Sequence, residues 1–306
     1  MKNKKNIVLA LIAVIIYVVI FSLAQFGVLS RHTQSLLVPI GVNIILAVSL
    51  NLTVGFLGEL TLGHAGFMSV GAYAGCLFTI YCNLPVWIEF PLALIIGGLV
   101  AAIFGVIIGI PALRLNGDYL AIVTLAFGEI IRSVLNNVKF TGGAGGLKGI
   151  DKTSNFTIAY ILVILTLIVI TNVVRSRHGR AIMAIRDNII AAQSVGINIV
   201  YYKLVAFVGA AFFAGVAGVL YGHNLGILKP STFDFNKSIE ILVIVVLGGM
   251  GNITGSVIAA IIITLLPEVL RDLADYRMLI YSIALIVMML FSSNPTLVEF
   301  RQKIFK

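Results

Sequence analysis

Long apolar runs separated by short polar segments organise this sequence. Each run holds about 20 residues with little charge, the length needed to cross a hydrocarbon core of about 30 Å. The runs predict about ten membrane spans, within a range of eight to ten, at residues 7–29, 35–54, 62–82, 87–111, 118–137, 156–174, 203–222, 238–250, 253–270 and 274–292. The predicted fold is all-α: a polytopic bundle of transmembrane helices forming one domain over residues 1–306.

The composition agrees with a chain whose main solvent is lipid. It is 60% hydrophobic and 11% charged, against about 25% charged residues in soluble domains. Eleven of the 21 Lys and Arg residues lie in three clusters: Lys2, Lys4 and Lys5; Arg175, Arg177, Arg180, Arg186 and Lys203; and Arg301, Lys303 and Lys306. Such clusters mark cytoplasmic segments, and an even number of spans places all three, with both termini, in the cytoplasm. This reading is favoured over a nucleic-acid-binding patch.

The N-terminal run could be a signal peptide or a first span. A cleavage-like Ser22-Leu23-Ala24 lies within it. The apolar stretch from Ile7 to Leu29 exceeds the 7–15 residues of a signal core, so a retained, peripheral first span over residues 1–34 is expected, although cleavage stays open. Cys76 and Cys82 have neither disulfide nor metal-site spacing.

Two predicted spans carry small residues at every fourth position. In lipid, helices associate through close backbone approach, which such ladders allow. The two ladders therefore predict packing seams rather than binding sites: Gly97, Ala101, Gly105 and Gly109; and Ala206, Ala210, Ala214, Gly218 and Gly222.

Two regions, 55–71 and 247–256, combine glycines and polar groups at membrane depth. Interrupted helices are tolerated there only where they are buried in protein or line a wet cavity. Paired interruptions also indicate inverted repeats, here spans two to five against seven to ten. The candidate residues are Glu59, His64, Gly66, Gly248, Gly249, Gly251 and Asn252. For Glu59 and His64, lining a pathway and bracing the interrupted helix are equally favoured.

Glu129 and Arg132 lie three residues apart in one apolar run, so they can pair on one helix face. Ionisable groups at membrane depth tend to face a bundle interior or an aqueous cavity. A structural ion pair is the favoured interpretation, and a pathway-lining role for Glu129 is the alternative. His64 has no second ligand nearby, so no metal site is predicted.

The polar segment 176–199 is too hydrophilic to cross the membrane. Between Arg180 and Val195, its apolar positions recur at helical spacing, and Gly196 provides a C-terminal cap. The pattern predicts one short amphipathic helix between two spans. Such a helix either lies on lipid headgroups or docks into a groove on a soluble partner.

Catalytic motifs are missing from the sequence. It contains no G-x-x-x-x-G-K-[ST] loop, and the glycine-rich TGGAGGLKGI at 141–150, predicted to lie outside, lacks that spacing. It also contains neither G-x-S-x-G nor H-E-x-x-H. No catalytic residue and no bound cofactor are predicted, so the chain is expected not to be an enzyme.

Six blocks of the sequence, in order, resemble one family of transport proteins. They lie at 61–73, 124–132, 141–150, 179–197, 203–222 and 244–260. This pattern is similar to the permeases of branched-chain amino-acid ABC importers, in particular the M-type subunit, over about residues 40–290. The resemblance implies a membrane-spanning permease that carries branched-chain or similar hydrophobic amino acids across the cell inner membrane.

The resemblance also implies partners and a coupling site. It implies an H-type second permease, two ATPase subunits that hold ATP and Mg, and an extracytoplasmic binding protein. In this family the 179–197 segment is the coupling helix, to which it assigns Gly179, Arg180, Arg186, Asp187, Ala191, Ala192 and Gly196. The family usually has an acidic residue shortly before the alanine pair, where Asn188 and Ile190 are neutral here. Alternatives are a permease for urea, short amides or another small polar solute, or a secondary transporter; an intramembrane enzyme would need an Asp or His cluster that the sequence lacks.

Overall fold

A computed structural model describes residues 31–82, 84–115 and 117–270, together with 15, 17–23, 282, 283 and 286. Most of the predicted span 7–29, nearly all of 274–292 and the N- and C-terminal basic clusters lie outside the described residues. Residues 17–23, within the first predicted span, are helical.

Helices build the described part of the chain, in which no strand occurs. They are α1 Arg31–Asn51, α2 His64–Tyr81, α3 Val86–Ala112, α4 Asp118–Asn137, α5 Phe156–Arg175, α6 Arg177–Asp187, α7 Ile189–Ser194, α8 Ile199–Leu225, α9 Phe235–Gly248 and α10 Ile253–Val269. A π-helical turn, Leu52–Leu57, extends α1, and single 3₁₀ turns cover Lys139–Thr141, Gly143–Gly145 and Pro230–Phe233. The all-α prediction is confirmed.

Four of these helices are long and apolar enough to cross a membrane. They are α1 with its π-helical turn, α3, α5 and α8, and α10 is a shorter apolar helix. The other predicted spans within the described ranges correspond to the helices α2, α4 and α9. The count of about ten spans stays a prediction.

The two ladders of small residues lie in tight helix packing, as predicted. A β-carbon on Gly105 of α3 would lie 2.9 Å from the Ala211 side chain of α8. In the second ladder, a β-carbon on Gly218 of α8 would lie 2.1 Å from the Met68 carbonyl oxygen of α2. Backbones that approach so closely gain dispersion energy over a large area. Helix α8 is therefore packed closely against both α2 and α3.

The two ends of the bundle differ. At one end, α5 leads directly into α6 and α7, which return the chain to α8. At the other end, the glycine-rich loop 138–155 meets the segment that follows α8, where Leu147 and Leu228 exchange backbone hydrogen bonds of 2.8 and 3.0 Å. The loop that contains TGGAGGLKGI and the segment 176–199 thus lie at opposite ends, as the sequence predicts.

Candidate functional site

The first interruption separates α1 from α2. The π-helical turn ends at Gly58, whose φ of 81° is left-handed, and the chain is non-helical until α2 begins at His64. The predicted interruption over 55–71 is therefore too long. Gly66 and Gly71 lie inside α2, where they allow close packing: a β-carbon on Gly66 would lie 2.9 Å from the Cα of Gly128.

The second interruption separates α9 from α10. Gly248 ends α9, and Gly249 and Gly251 have φ values of 89° and 79°, a region that favours glycine. Asn252 then caps α10, because its Oδ1 accepts a hydrogen bond of 3.1 Å from the Gly255 N–H. The predicted interruption at 247–256 is confirmed in its centre, whereas residues 253–256 already belong to α10.

The two interruptions touch each other through Asn51, the last residue of α1. Its Oδ1 accepts a hydrogen bond of 2.8 Å from the Gly251 N–H, and its Nδ2 donates one of 2.9 Å to Ser256 Oγ. Both Asn51 and Ser256 are fully buried. The sequence analysis missed this pair. The available signal was a polar amide at the end of an apolar run, directly before a glycine-containing break.

The segment between α5 and α8 forms two helices, so the prediction of one helix over Arg180–Val195 is wrong. Asn188 adopts an extended conformation (φ −161°, ψ 108°), and its Oδ1 accepts a hydrogen bond of 3.0 Å from the Ala191 N–H. An asparagine side chain competes well for backbone groups and so starts a new helix there. The C-terminal cap at Gly196 (φ 83°) is confirmed. We call α6 and α7 together the linker pair.

The predicted coupling residues divide into two groups on the linker pair. Gly179 and Ala192 are buried, and a β-carbon on Gly179 would lie 2.1 Å from the Val174 carbonyl oxygen. These two residues shape the linker pair from within. The remaining five are exposed: Arg180, Arg186, Asp187, Ala191 and Gly196. Two neighbouring apolar side chains on the same segment, Ile190 and Val195, are 81% and 75% exposed.

Arg186 connects the linker pair to the first interruption. Its Nη1 donates a hydrogen bond of 3.1 Å to the Gly55 carbonyl, and its Nε and Nη2 lie 3.1 and 3.0 Å from Asp187 Oδ1. A β-carbon on Gly58 would lie 2.7 Å from Arg186 Cγ. The arginine therefore lies along the π-helical turn and is not fully extended into solvent.

Glu59 and Lys203 form a buried ion pair beside the first interruption, with side chains that are 11% and 3% exposed. Lys203 belongs to the basic cluster that predicts a cytoplasmic segment, but its side chain points into the bundle, because α8 begins at Ile199 and includes Lys203 in its first turns. For Glu59, the contact joins the first interruption to α8. In the sequence, the feature that could have indicated this ion pair was a basic residue at the start of a predicted span.

His64 is the first residue of α2 and is buried at 3% exposure. Its Nε2 lies 2.9 Å from Ser49 Oγ on α1, so the ring bridges the two helices that flank the first interruption. In the described part of the chain, no group of three His, Cys, Asp or Glu side chains could hold a metal ion.

The predicted Glu129–Arg132 pair is confirmed. Arg132 Nη2 lies 2.5 Å from Glu129 Oε2, and both side chains are about one-third exposed halfway along α4. Glu129 also borders a small cleft between α4, the start of α2 and the start of α9. The cleft is lined by Leu62, Gly66, Leu125, Gly128, Phe233, Asp234, Phe235 and Ser238.

These features define a helical membrane protein in which two interruptions between helices meet beside a linker pair. The chain belongs to a family of transport proteins, described as the permease component of the branched-chain amino acid transport system, whose model matches residues 32–292.

Curated relatives agree with this family. The chain is 37% identical to the high-affinity branched-chain amino acid transport system permease protein LivM of Escherichia coli, covering 90% of this chain and 72% of the relative. It is 27% identical to LivH of the same organism, over 72% and 78% of the two chains, and 27% identical to the ribose import permease protein RbsC of Haemophilus influenzae, over 92% and 91%. No solved structure gives a significant match.

Proposed function

We propose that the protein is the membrane-spanning permease subunit of an ATP-driven importer for branched-chain or similar hydrophobic amino acids. The observation that carries this proposal is the family match over residues 32–292, together with 37% identity to a permease named for this transport. The subunit is not itself an enzyme, and ATP and Mg bind to separate ATPase subunits. It works in the cell inner membrane with a second, H-type permease and with an extracytoplasmic binding protein that delivers the solute.

The linker pair is the proposed docking site for an ATPase subunit on the cytoplasmic side. The apolar side chains of its inner face, Ile182 and Ile185, are already buried against the bundle. Its outer face instead exposes Ile190 and Val195, apolar side chains that gain free energy when a partner covers them. An amphipathic helix presenting such side chains fits a hydrophobic groove. Of the predicted coupling residues, Arg180, Asp187, Ala191 and Gly196 lie on the surface available for this contact.

The proposed solute pathway runs beside the interruptions and along α4. An ion pair whose side chains are about one-third exposed is costly against lipid, which supports a wet or protein-covered environment for Glu129 and Arg132. Gly66 borders the same cleft. For Glu59 and His64, buried contacts with Lys203 and Ser49 support a bracing role over a lining role. Because the binding protein makes the selection, the pathway itself needs to bind the solute only weakly.

Reconstitution tests the proposed function. The chain is placed in proteoliposomes with its second permease, its ATPase subunits and its binding protein, and uptake of radiolabelled leucine, isoleucine and valine is measured. We expect uptake that requires ATP and that an excess of urea or ribose does not inhibit. ATP-dependent uptake of urea or ribose instead of these amino acids would overturn the solute class, and uptake without ATP would overturn the ATP-driven mechanism.

A second experiment tests the docking site. Ile190→Glu places a charge on the most exposed apolar side chain of the linker pair, whereas Asn198→Asp changes an exposed side chain between α7 and α8. We expect ATPase subunits to co-purify with Asn198→Asp but to be lost from Ile190→Glu while the membrane subunit still inserts. Normal co-purification with Ile190→Glu would contradict docking at this surface.

A further inference from the structure

Three segments that are distant in sequence converge at one end of the bundle. They are the π-helical turn after α1, the glycine turn between α9 and α10, and the C-terminal end of α6. The proposed function uses the outer face of the linker pair, and it gives no role to this inner junction. Two side chains hold the junction together: Asn51 and Arg186.

Asn51 fixes the two interruptions to each other. A single buried amide accepts from the Gly251 N–H at 2.8 Å and donates to Ser256 Oγ at 2.9 Å. The backbones are in such close contact that a β-carbon on Gly55 would lie 1.8 Å from Asn51 Oδ1 and 2.2 Å from the Gly251 nitrogen. Since packed interiors transmit strain rather than absorb it, displacement of one interruption displaces the other.

Arg186 attaches the linker pair to this unit. Its Nη1 donates to the Gly55 carbonyl at 3.1 Å, in the last turn of a helix, where carbonyls lack intrahelical partners. The same Nη1 would lie 3.4 Å from a β-carbon built on Gly251, so the guanidinium lies beside the second interruption. Asp187 orients the guanidinium through two contacts of 3.0–3.1 Å. One side chain of the linker pair thus binds the first interruption and lies next to the second.

We infer that Arg186 is a positioning residue that transmits movement of the linker pair to both interrupted helices at once, with Asn51 joining the two. The inference rests on the proposed function, because the movement comes from the docked ATPase subunits. It assigns Arg186 to the inner face of the linker pair, where it acts on Gly55 and not on the ATPase surface. The side chain is 38% exposed, which leaves the rest of it packed along the π-helical turn.

The test compares Arg186→Gln, Arg186→Lys and Arg175→Gln in the complete reconstituted complex. Arg186→Gln removes the charge but keeps most of the stem, and Arg186→Lys restores a charged donor. Arg175 is the matched control, because it is an exposed arginine at the end of α5 and lies outside the linker pair. Uptake of leucine and hydrolysis of ATP are measured on the same vesicles, and their ratio reports coupling.

A charge-assisted hydrogen bond justifies an expected drop of about tenfold in leucine uptake for Arg186→Gln, with ATP hydrolysis changed by less than about twofold. The ratio of ATP hydrolysed to leucine carried therefore rises. Arg186→Lys is expected to recover part of the loss, and Arg175→Gln to match the unmodified complex. With these results, the ratio of ATP hydrolysed to leucine carried changes while ATP hydrolysis by the assembled complex is nearly unchanged. Loss of a purely structural residue would not change that ratio selectively.

Other outcomes overturn the inference. Equal loss of uptake and hydrolysis, or loss of the ATPase subunits, would assign Arg186 to the docking surface instead. An unchanged ratio would show that the contact with Gly55 transmits nothing. Ser256→Ala provides an independent check, because it removes one arm of the Asn51 junction and should also raise the ratio. If the unmodified complex shows no ATP-dependent uptake, the proposed function fails first, so the two failures are distinguishable.

Discussion

The Lys203 ammonium and the Glu59 carboxylate form an ion pair that is almost completely buried, where the first interruption meets α8. Removing one partner of such a pair leaves an uncompensated buried charge, at a cost of about 3–5 kcal/mol. We therefore expect Glu59→Gln and Lys203→Met each to lower thermal stability in detergent strongly. The double variant is expected to be more stable than either single variant, because it buries no unpaired charge.

The control for this prediction is Asp187→Asn, which breaks the Arg186–Asp187 contact. The Asp187 side chain is 68% exposed, and such pairs contribute about 0–1 kcal/mol. Similar losses of stability for Asp187→Asn and Glu59→Gln would contradict the buried brace.

Gly71 and Gly215 provide the second prediction, on the seam between α2 and α8. A valine at position 71 would place its β-carbon 2.2 Å from the Gly215 Cα. Because the obstacle is backbone, the helices must separate, and the cost is expected to reach or exceed the about 1–3 kcal/mol of ordinary overpacking. Gly145→Val is the matched control, since nothing lies within 4 Å of a β-carbon there. Yield and thermal stability in detergent measure the difference, and equal stability of the two variants would refute the seam.

Asn188 provides a third prediction, on the boundary between α6 and α7. Asn188→Ala removes the cap on α7 and is expected to cost about 1 kcal/mol, since alanine is a poor N-cap. Asn188→Asp keeps an oxygen for the Ala191 N–H and should retain stability. We also expect Asn188→Ala to reduce ATP-dependent leucine uptake, because alanine favours one continuous helix and turns Ile190 away from its present direction. Full activity of Asn188→Ala would show that the boundary is not needed.

The exposed side of α4 gives a fourth prediction. Ser133 is exposed one residue beyond Arg132. If this surface meets water, Ser133→Cys reacts with a charged, membrane-impermeant thiol reagent. Ile168→Cys on α5, 55% exposed among other apolar side chains, should face lipid and stay unmodified. Cys82, which is partly exposed, is first replaced by serine in both variants. An unreactive Ser133→Cys would place α4 against lipid or a tightly packed partner.

The sequence predicted most helices because apolar run length is set by the membrane, a local and strong constraint. It also predicted the glycine turn at 249–251 and the cap at Gly196, where backbone conformation demands glycine. The contacts of Asn51, Lys203 and Arg186 were missed. Along the chain, the partner of Asn51 lies 205 residues away, that of Lys203 144 residues away and that of Arg186 131 residues away. Hydrophobic periodicity reports local structure and contains no information about such long-range pairs. Over Arg180–Val195 the apolar spacing fits one continuous helix, so it did not predict that Asn188 divides the segment into two helices.

The close backbone contacts among α2, α3 and α8 have a consequence for movement. Gly71 and Gly97 each face α8 with no room for a side chain, so sliding these helices past one another would create collisions. We therefore expect these three helices to move together as one body. The short non-helical segments after Leu57 and after Gly248 lack continuous helical hydrogen bonding, so we expect any bending of the backbone to occur there.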